Sequence, residues 1–242
     1  MGNPTPSETT PGELSITSYK LTFLRTCLTH SILRFGTFTL KSGRQSPYFF
    51  QAGAFQTASL LSSLATAYAQ AIVSNLVQVE HPTQFDVIFG PAYKGIPLAA
   101  ITALKLGELM PEKCGNVGYS FNRKEVKDHG EGGVIVGMGL MGKKVLIVDD
   151  VITAGTAIRE SVGLIRKLGG DVVGVMIALD RMETVVGGEG GSSAIAELKK
   201  ELGCGVYSIL SLEDLVDAGG VVGEEERRKM MEYREKYGAR NV

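Results

Sequence analysis

The sequence predicts an α/β fold with a mainly parallel central sheet flanked by helices. Three observations predict it. Short apolar strands alternate with helical stretches along most of the chain, as in parallel sheets joined by helical crossovers. Val145–Val148 is an unbroken apolar run of valine, leucine and isoleucine, the composition of a strand buried on both faces. That run leads into Asp149-Asp150 and then a small-residue loop, Thr153-Ala154-Gly155-Thr156, which feeds a helical pattern. In sheets of this kind the ligand lies at the carboxyl ends of the strands.

Taken in order, residues 1–15 are polar with Pro4, Pro6 and Pro11, and are expected to be a mobile tail. Residues 16–242 are expected to form one domain. Helix is expected at Ser18–His30, and short strands at Thr37–Lys41 and Tyr48–Gln51 around a turn containing Gly43. Thr57–Leu76 is rich in Ala and Leu and reads as a long helix. Asp86–Phe89 is a strand ending at Gly90-Pro91, with helix resuming near Gly95–Gly107. Val117–Phe121 reads as a strand, and Asn122–Gly133 as a charged, flexible loop. A β-hairpin is expected between Val134–Val136 and Val145–Val148. Helix Ala157–Leu168 and strand Asp171–Leu179 follow. Val185–Ser193 is Gly- and Ser-rich and reads as a surface insertion. Ala194–Leu202, Gly205–Leu210 and Ser211–Ala218 complete helix, strand and helix. Glu224–Tyr237 reads as a charged terminal helix with a solvated face.

Composition narrows the function classes. A net charge of −1 over 242 residues provides no global field for nucleic acid or a membrane surface. Cys27, Cys114 and Cys204 are widely spaced and suit neither a disulfide framework nor a zinc site. No apolar run reaches the roughly 18 residues of a membrane span, and no secretory signal opens the sequence. Met1-Gly2 hints at myristoylation, but Pro6 occupies the Ser/Thr position of that motif. Cytoplasm is the expected location.

Residues 145–157 carry the chemistry. Backbone N–H groups and the dipole at a helix start hold an anion, and Thr153 and Thr156 add hydroxyl donors. Two carboxylates do not favour a phosphate, so Asp149 and Asp150 are expected to face sugar hydroxyls or the water shell of a metal. Rival motifs fit less well. Val-Leu-Ile-Val-Asp-Asp also resembles the first strand of receiver domains, where the acidic pair lies near the domain start and no Thr-Ala-Gly-Thr follows. Gly137-Met138-Gly139-Leu140-Met141-Gly142 matches G-x-G-x-x-G, but the glycines run into a strand and open no helix. The near-match to a P-loop at Gly137 to Lys144 lacks its Ser/Thr and its helix.

The strand, acidic pair and Thr-Ala-Gly-Thr loop resemble the phosphoribosyl-diphosphate (PRPP) motif of the type I phosphoribosyltransferases. Three more segments narrow the resemblance: Leu40 to Gly53, Gly90-Pro91-Ala92-Tyr93-Lys94-Gly95-Ile96-Pro97, and Tyr119 to Gly133. With Leu179-Asp180-Arg181 they make the chain similar to the orotate phosphoribosyltransferases from about Ile16 to past Gly205. The resemblance implies the type I fold with an N-terminal hood, largely residues 16–56, and a flexible catalytic loop over 122–133. It implies transfer of the phosphoribosyl group of PRPP to N1 of orotate, giving orotidine 5′-phosphate and diphosphate, in pyrimidine (UMP) biosynthesis.

The resemblance also assigns residues. Lys41, Phe49, Phe50, Thr153 and Arg181 are implied to bind orotate. PRPP is implied to meet Lys41, Tyr93, Lys94, Arg123, Lys124, Lys127, His129, Asp149, Asp150 and the segment Val151, Ile152, Thr153, Ala154, Gly155, Thr156, Ala157. Lys124, Lys127, His129, Asp149 and Asp150 are implied to be catalytic. Mg²⁺ is implied as cofactor, held through PRPP and waters near Asp149 and Asp150. A homodimer with shared active sites is implied as the active unit. The residues themselves leave alternatives open. Strand alternation sends Phe49 and Phe50 to opposite faces, so at least one is expected in the core. Lys94 alone is equally well read as a solvated lysine. The 122–133 cluster also contains Glu125, Asp128 and Glu131, so its net charge is modest. A phosphoribosyltransferase for another base is the runner-up, and a non-catalytic PRPP-sensing regulator the alternative outside enzymes.

Overall fold

The computed structural model describes residues 16–127, 133–185 and 191–239; the expected tail, His129 and most of the Gly-rich insertion lie outside them. In chain order the elements are α1 (Ser18–Thr29), β1 (Leu33–Thr39), β2 (Gln45–Phe50), α2 (Ala58–Ile72), β3 (Val87–Gly90), α3 (Gly95–Leu109) and the single turn α4 (Pro111–Cys114). Then come β4 (Gly118–Lys127), β5 (Gly133–Gly137), β6 (Lys144–Val151), α5 (Thr156–Lys167), β7 (Asp171–Asp180), α6 (Ala194–Leu202), β8 (Gly205–Ser211), α7 (Leu212–Asp217) and α8 (Glu224–Tyr237).

Six strands form one sheet in the order β5-β4-β3-β6-β7-β8. All neighbours are parallel except β4 with β5. Alternation along β6 divides the core into two layers. Leu146 and Val148 pack with α1, α2, α3 and α7, whereas Val145 and Ile147 pack with Ile158, Val162 and Ile165 of α5 and Leu198 of α6. All four of these strand residues are fully buried, as a doubly covered sheet requires. The β1–β2 hairpin is a separate two-stranded antiparallel sheet, the hood of the expected fold.

Local chemistry sets the helix starts. The Thr57 hydroxyl accepts from Leu60 N–H at 3.3 Å to open α2. Ser211 and Asp214 form a capping box on α7. Gly155 begins α5 at φ +74°, in the left-handed region that glycine adopts without strain. At Gly90 a Cβ would lie 1.9 Å from Gly95 O, so only glycine lets α3 begin so close to the end of β3.

Several expectations are corrected. β4 runs on to Lys127, so residues 122–127 are strand rather than loop. Backbone pairing to β5 explains this, with Asn122 opposite Ile135 and Lys127 opposite Gly133. β5 does not pair with β6: it is the sheet edge, and Met138–Lys143 connects back across β4 and β3 to β6 instead of turning a hairpin. β6 extends past Val148 to Val151, because β7 continues to pair with it there. α2 continues through a π-helical turn, Val73–Val77. The whole stretch Ala58–Val77 is uncharged, and by length and composition matches a membrane span, with just over half of it buried in the core. Helix α8 has a solvated face but also buries Met230 and Tyr233.

Candidate active site

A cleft of about 500 Å³ opens at the carboxyl ends of β6 and β7, beneath the hairpin. One side is formed by Asp150, Val151, Ile152, Thr153 and Ala154, together with Lys94. The hood supplies Lys41, Phe49 and Phe50, and the end of β7 supplies Arg181. The structure therefore brings together residues from four stretches of sequence separated by up to 140 positions (Lys41 to Arg181).

The acidic pair is built into the strand. Asp150 is 6% exposed, and its carboxylate accepts from Lys94 Nζ at 2.7 Å. Lys94 is thus paired while its side chain stays 69% exposed. The Asp149 carboxylate accepts from the Asp150 N–H at 2.9 Å, and the Tyr68 hydroxyl of α2 donates to the Asp149 carbonyl at 2.7 Å. Burial and the neighbouring Asp150 push the Asp149 carboxyl up from 3.8 to about 6. Such an acid is poised to receive a cation or hydroxyl donors, which favour its ionised form.

The loop after β6 is held from behind. Arg159 donates to the Ala154 carbonyl at 2.6 Å and to Glu201 at 2.7 Å. Thr153 and Ala154 are exposed to the cleft, while Gly155 is buried. A Cβ at Gly155 would sit 3.0 Å from a Leu198 methyl. Gly155, Thr156 and Ala157 start the helix beyond the cleft and do not line it; their N–H groups lie at the positive end of the α5 dipole.

Phe49 and Phe50 confirm the alternation argument. Phe49 packs on Phe38, with the Arg34 guanidinium 5.7 Å from its ring centre, whereas Phe50 packs toward Phe55 and the core. Both still contribute to the cleft wall. Lys41 is exposed at its rim. Arg181 is half-engaged: Nε donates to Glu183 at 2.6 Å, Nη2 to Ser46 at 2.9 Å, and the guanidinium lies 4.5 Å from the Tyr48 ring centre.

Asp149, Tyr93, Arg123 and Lys124 do not line this cleft. Asp149 is half-buried, next to Asp150 on β6 and so on the opposite face of the strand, Tyr93 is 71% exposed, and Lys124 is exposed on β4. Arg123 carries a buried Nε without a hydrogen-bond partner among the described residues. Lys127 closes β4, and His129 lies outside the described residues. Sequence reasoning missed Tyr68, Asn122, Arg159, Arg44, Ser46 and Glu183. Asn122 was assigned to the loop, yet its side chain accepts from Ala92 N–H at 2.8 Å and so holds the turn that presents Lys94. Only Glu183 had a readable signal, two residues from Arg181 in an extended stretch, where alternate side chains share a face.

A doubly covered parallel sheet with an acidic strand end and a small-residue loop into a helix defines a phosphoribosyltransferase, and the phosphoribosyl transferase domain model matches residues 59–187. The orotate phosphoribosyltransferase of Metarhizium anisopliae is 50% identical over 231 residues, covering 93% of this chain and 97% of that protein. That of Schizosaccharomyces pombe is 51% identical, covering 92% of this chain and all of its own. The crystal structure of the Francisella tularensis orotate phosphoribosyltransferase superposes with a TM-score of 0.77 at 37% identity, over 90% of this chain and all of that one. The chain belongs to the orotate phosphoribosyltransferase family, and is thereby a pentosyltransferase enzyme, as the sequence resemblance implied.

Proposed function

We propose that this chain joins orotate to PRPP in the cleft just described, releasing orotidine 5′-phosphate and diphosphate in pyrimidine (UMP) biosynthesis. The observation that carries the proposal is one cleft lined both by Asp150 to Ala154 with Lys94 and by Phe49, Phe50, Lys41 and Arg181. A sugar phosphate and a flat anionic base require those two linings side by side.

Orotate N1 attacks the anomeric carbon as the bond to the diphosphate oxygen breaks, with inversion there. Charge moves onto the leaving oxygens while the ribose gains oxocarbenium character. No covalent enzyme nucleophile is needed, so orientation and charge stabilisation supply the rate. The N–H groups and hydroxyls of Thr153 to Ala157 hold the 5′-phosphate. Asp149 and Asp150 take the ribose hydroxyls. Lys94, Tyr93 and Arg123 meet the diphosphate. Lys124, Lys127 and His129 close over the leaving group and exclude water. Phe49 and Phe50 form the base wall, with Thr153 at its edge, while Lys41 and Arg181 recognise the anionic base and its carboxylate.

The donor set also suits Mg²⁺: two adjacent carboxylates, one held by Lys94, offer hard oxygens and leave a substrate-borne ion its waters. When bound, the ion would neutralise diphosphate charge, with Asp149 and Asp150 as the residues that would hold it through its waters. We further propose a homodimer in which the 122–133 segment of one subunit completes the site of the other. Leu104, Tyr119 and Met138 are exposed apolar side chains of the kind a subunit contact would cover. A cytoplasmic setting is consistent with three free thiols. The test is the fall in orotate absorbance on adding PRPP, with and without Mg²⁺. Loss of signal only with both supports the assignment; an unchanged orotate spectrum, or turnover of adenine, hypoxanthine or uracil instead, refutes it.

A further inference from the structure

The wall that carries Arg181 has an unusual support. β7 last pairs with β8 at Asp180, opposite Ser211. The following residues, Arg181 to Val185, still line the cleft. The carboxyl-terminal segment replaces the missing strand. Thr184 N–H donates to Tyr237 O at 2.9 Å, Ala239 N–H to Met182 O at 2.8 Å, and Glu183 forms an antiparallel bridge with Gly238. Met182 adopts φ +52°, a conformation that costs a non-glycine residue energy and so needs surrounding contacts to persist. Its N–H donates to Asp180 Oδ1 at 2.8 Å.

Glu183 is the hub of this wall. One oxygen accepts from Arg181 Nε at 2.6 Å and the other from Arg44 Nη1 at 3.3 Å. Arg44 also donates to Thr184 Oγ1 at 3.1 Å and lies over the Tyr237 ring, 4.9 Å from its centre. The side chains of Arg44, Arg181 and Glu183 are each only 12–14% exposed. One carboxylate between two guanidiniums leaves a net positive triad, the sign an anionic base requires. The Arg181 Nη1 donors have no partner among the described residues, so they remain available to a ligand.

We propose that Glu183 is a positioning residue for the base: it fixes the Arg181 guanidinium against the Tyr48 ring, while Arg44 and the segment Tyr237–Ala239 hold Glu183 in place. Affinity for orotate is then set partly through the placement of Arg181, by residues that include the segment Tyr237–Ala239 outside the cleft lining. The inference rests on the assignment of Arg181 to orotate, and the experiment separates the two. Full-length Glu183→Gln, Arg181→Ala and the double variant are compared with the parent for the KM of each substrate. Glu183→Gln is expected to raise the orotate KM about tenfold and to move the PRPP KM less than about twofold. In the Arg181→Ala background it is expected to add almost nothing, because the two act through one contact. Should Glu183→Gln fail to fold, Tyr237→Leu, which removes the ring under Arg44 from outside the cleft lining, is judged by the same two KM values. If Arg181→Ala raises the orotate KM and Glu183→Gln does not, the positioning role is overturned alone. Equal rises in both KM values, or additive effects in the double variant, also overturn it. If Arg181→Ala itself leaves the orotate KM unchanged, the assignment of Arg181 falls and the inference with it.

Discussion

Asp149→Asn is expected to stabilise the unliganded protein while disabling it. The carboxyl titrates at about 6 when folded against an ordinary value of 3.8. Its raised value means that the protonated form fits the fold better. The associated stability is fully present below about pH 4 and is lost as pH rises through about 6. At pH 7 the ionised group therefore opposes folding by up to about 3 kcal/mol, at 1.36 kcal/mol per decade. Asp149 is only half-buried, so solvent screens part of this and about 1–3 kcal/mol is the expected gain. Asparagine keeps an oxygen to accept from the Asp150 N–H, so that hydrogen bond survives. Denaturant titrations at pH 7 and pH 4 read the effect directly: the variant gains stability at pH 7 and almost nothing at pH 4. In the same variant kcat/KM for PRPP is expected to fall about a hundredfold, the scale of one lost electrostatic contact in a transition state. Equal stability of the two proteins at pH 7, or a variant destabilised at both pH values, would refute the burial argument. Unimpaired use of PRPP would remove Asp149 from the site.

Lys124→Ala or Lys127→Ala is expected to lower kcat about a hundredfold or more with little change in orotate affinity; a normal rate defeats the lid assignment. Mixing an inactive Lys124 variant with an inactive Asp149 variant is expected to restore activity through hybrid dimers, and no recovery under proven subunit exchange counts against a shared site. Gly155→Val is expected to cost about 1–3 kcal/mol, because φ +74° is strained for valine and Leu198 crowds its Cβ; calorimetry showing an unchanged melting temperature would contradict this. Chelating Mg²⁺ is expected to abolish turnover reversibly, and full activity in excess chelator would sink the metal assignment.

The parallel sheet was legible because strands buried on both faces leave uninterrupted apolar runs, as at Val145–Val148. The turn from β6 into α5 was legible because small residues with Gly155 follow an apolar strand directly and lead into a helical pattern. The hairpin expected at Gly137–Gly142 failed for a physical reason: adjacency in sequence does not determine which edge of a sheet a strand joins, and β5 found its partner in β4. The charged stretch Asn122–Lys127 read as loop because its side chains are polar, yet its backbone groups pair across to β5 regardless of side-chain chemistry. Of the supporting residues, Arg159 and Tyr68 were invisible for a different cause. Each acts on a backbone carbonyl distant in sequence or hidden by the turn, Ala154 for Arg159 and Asp149 for Tyr68, and no local pattern encodes such contacts. The carboxyl-terminal helix read as a solvated charged face, and its charges are; Tyr233 and Tyr237, spaced four residues apart on one side, were the overlooked signal of a buried stripe.

A structure of the protein bound to orotidine 5′-phosphate, or to PRPP with magnesium, tests the central claim most directly. The 5′-phosphate is expected on the N–H groups between Thr153 and Ala157, with the pyrimidine between the hood phenylalanines and Arg181. Ligand ordered at another surface, with the crevice under the hairpin left to solvent, would contradict the account.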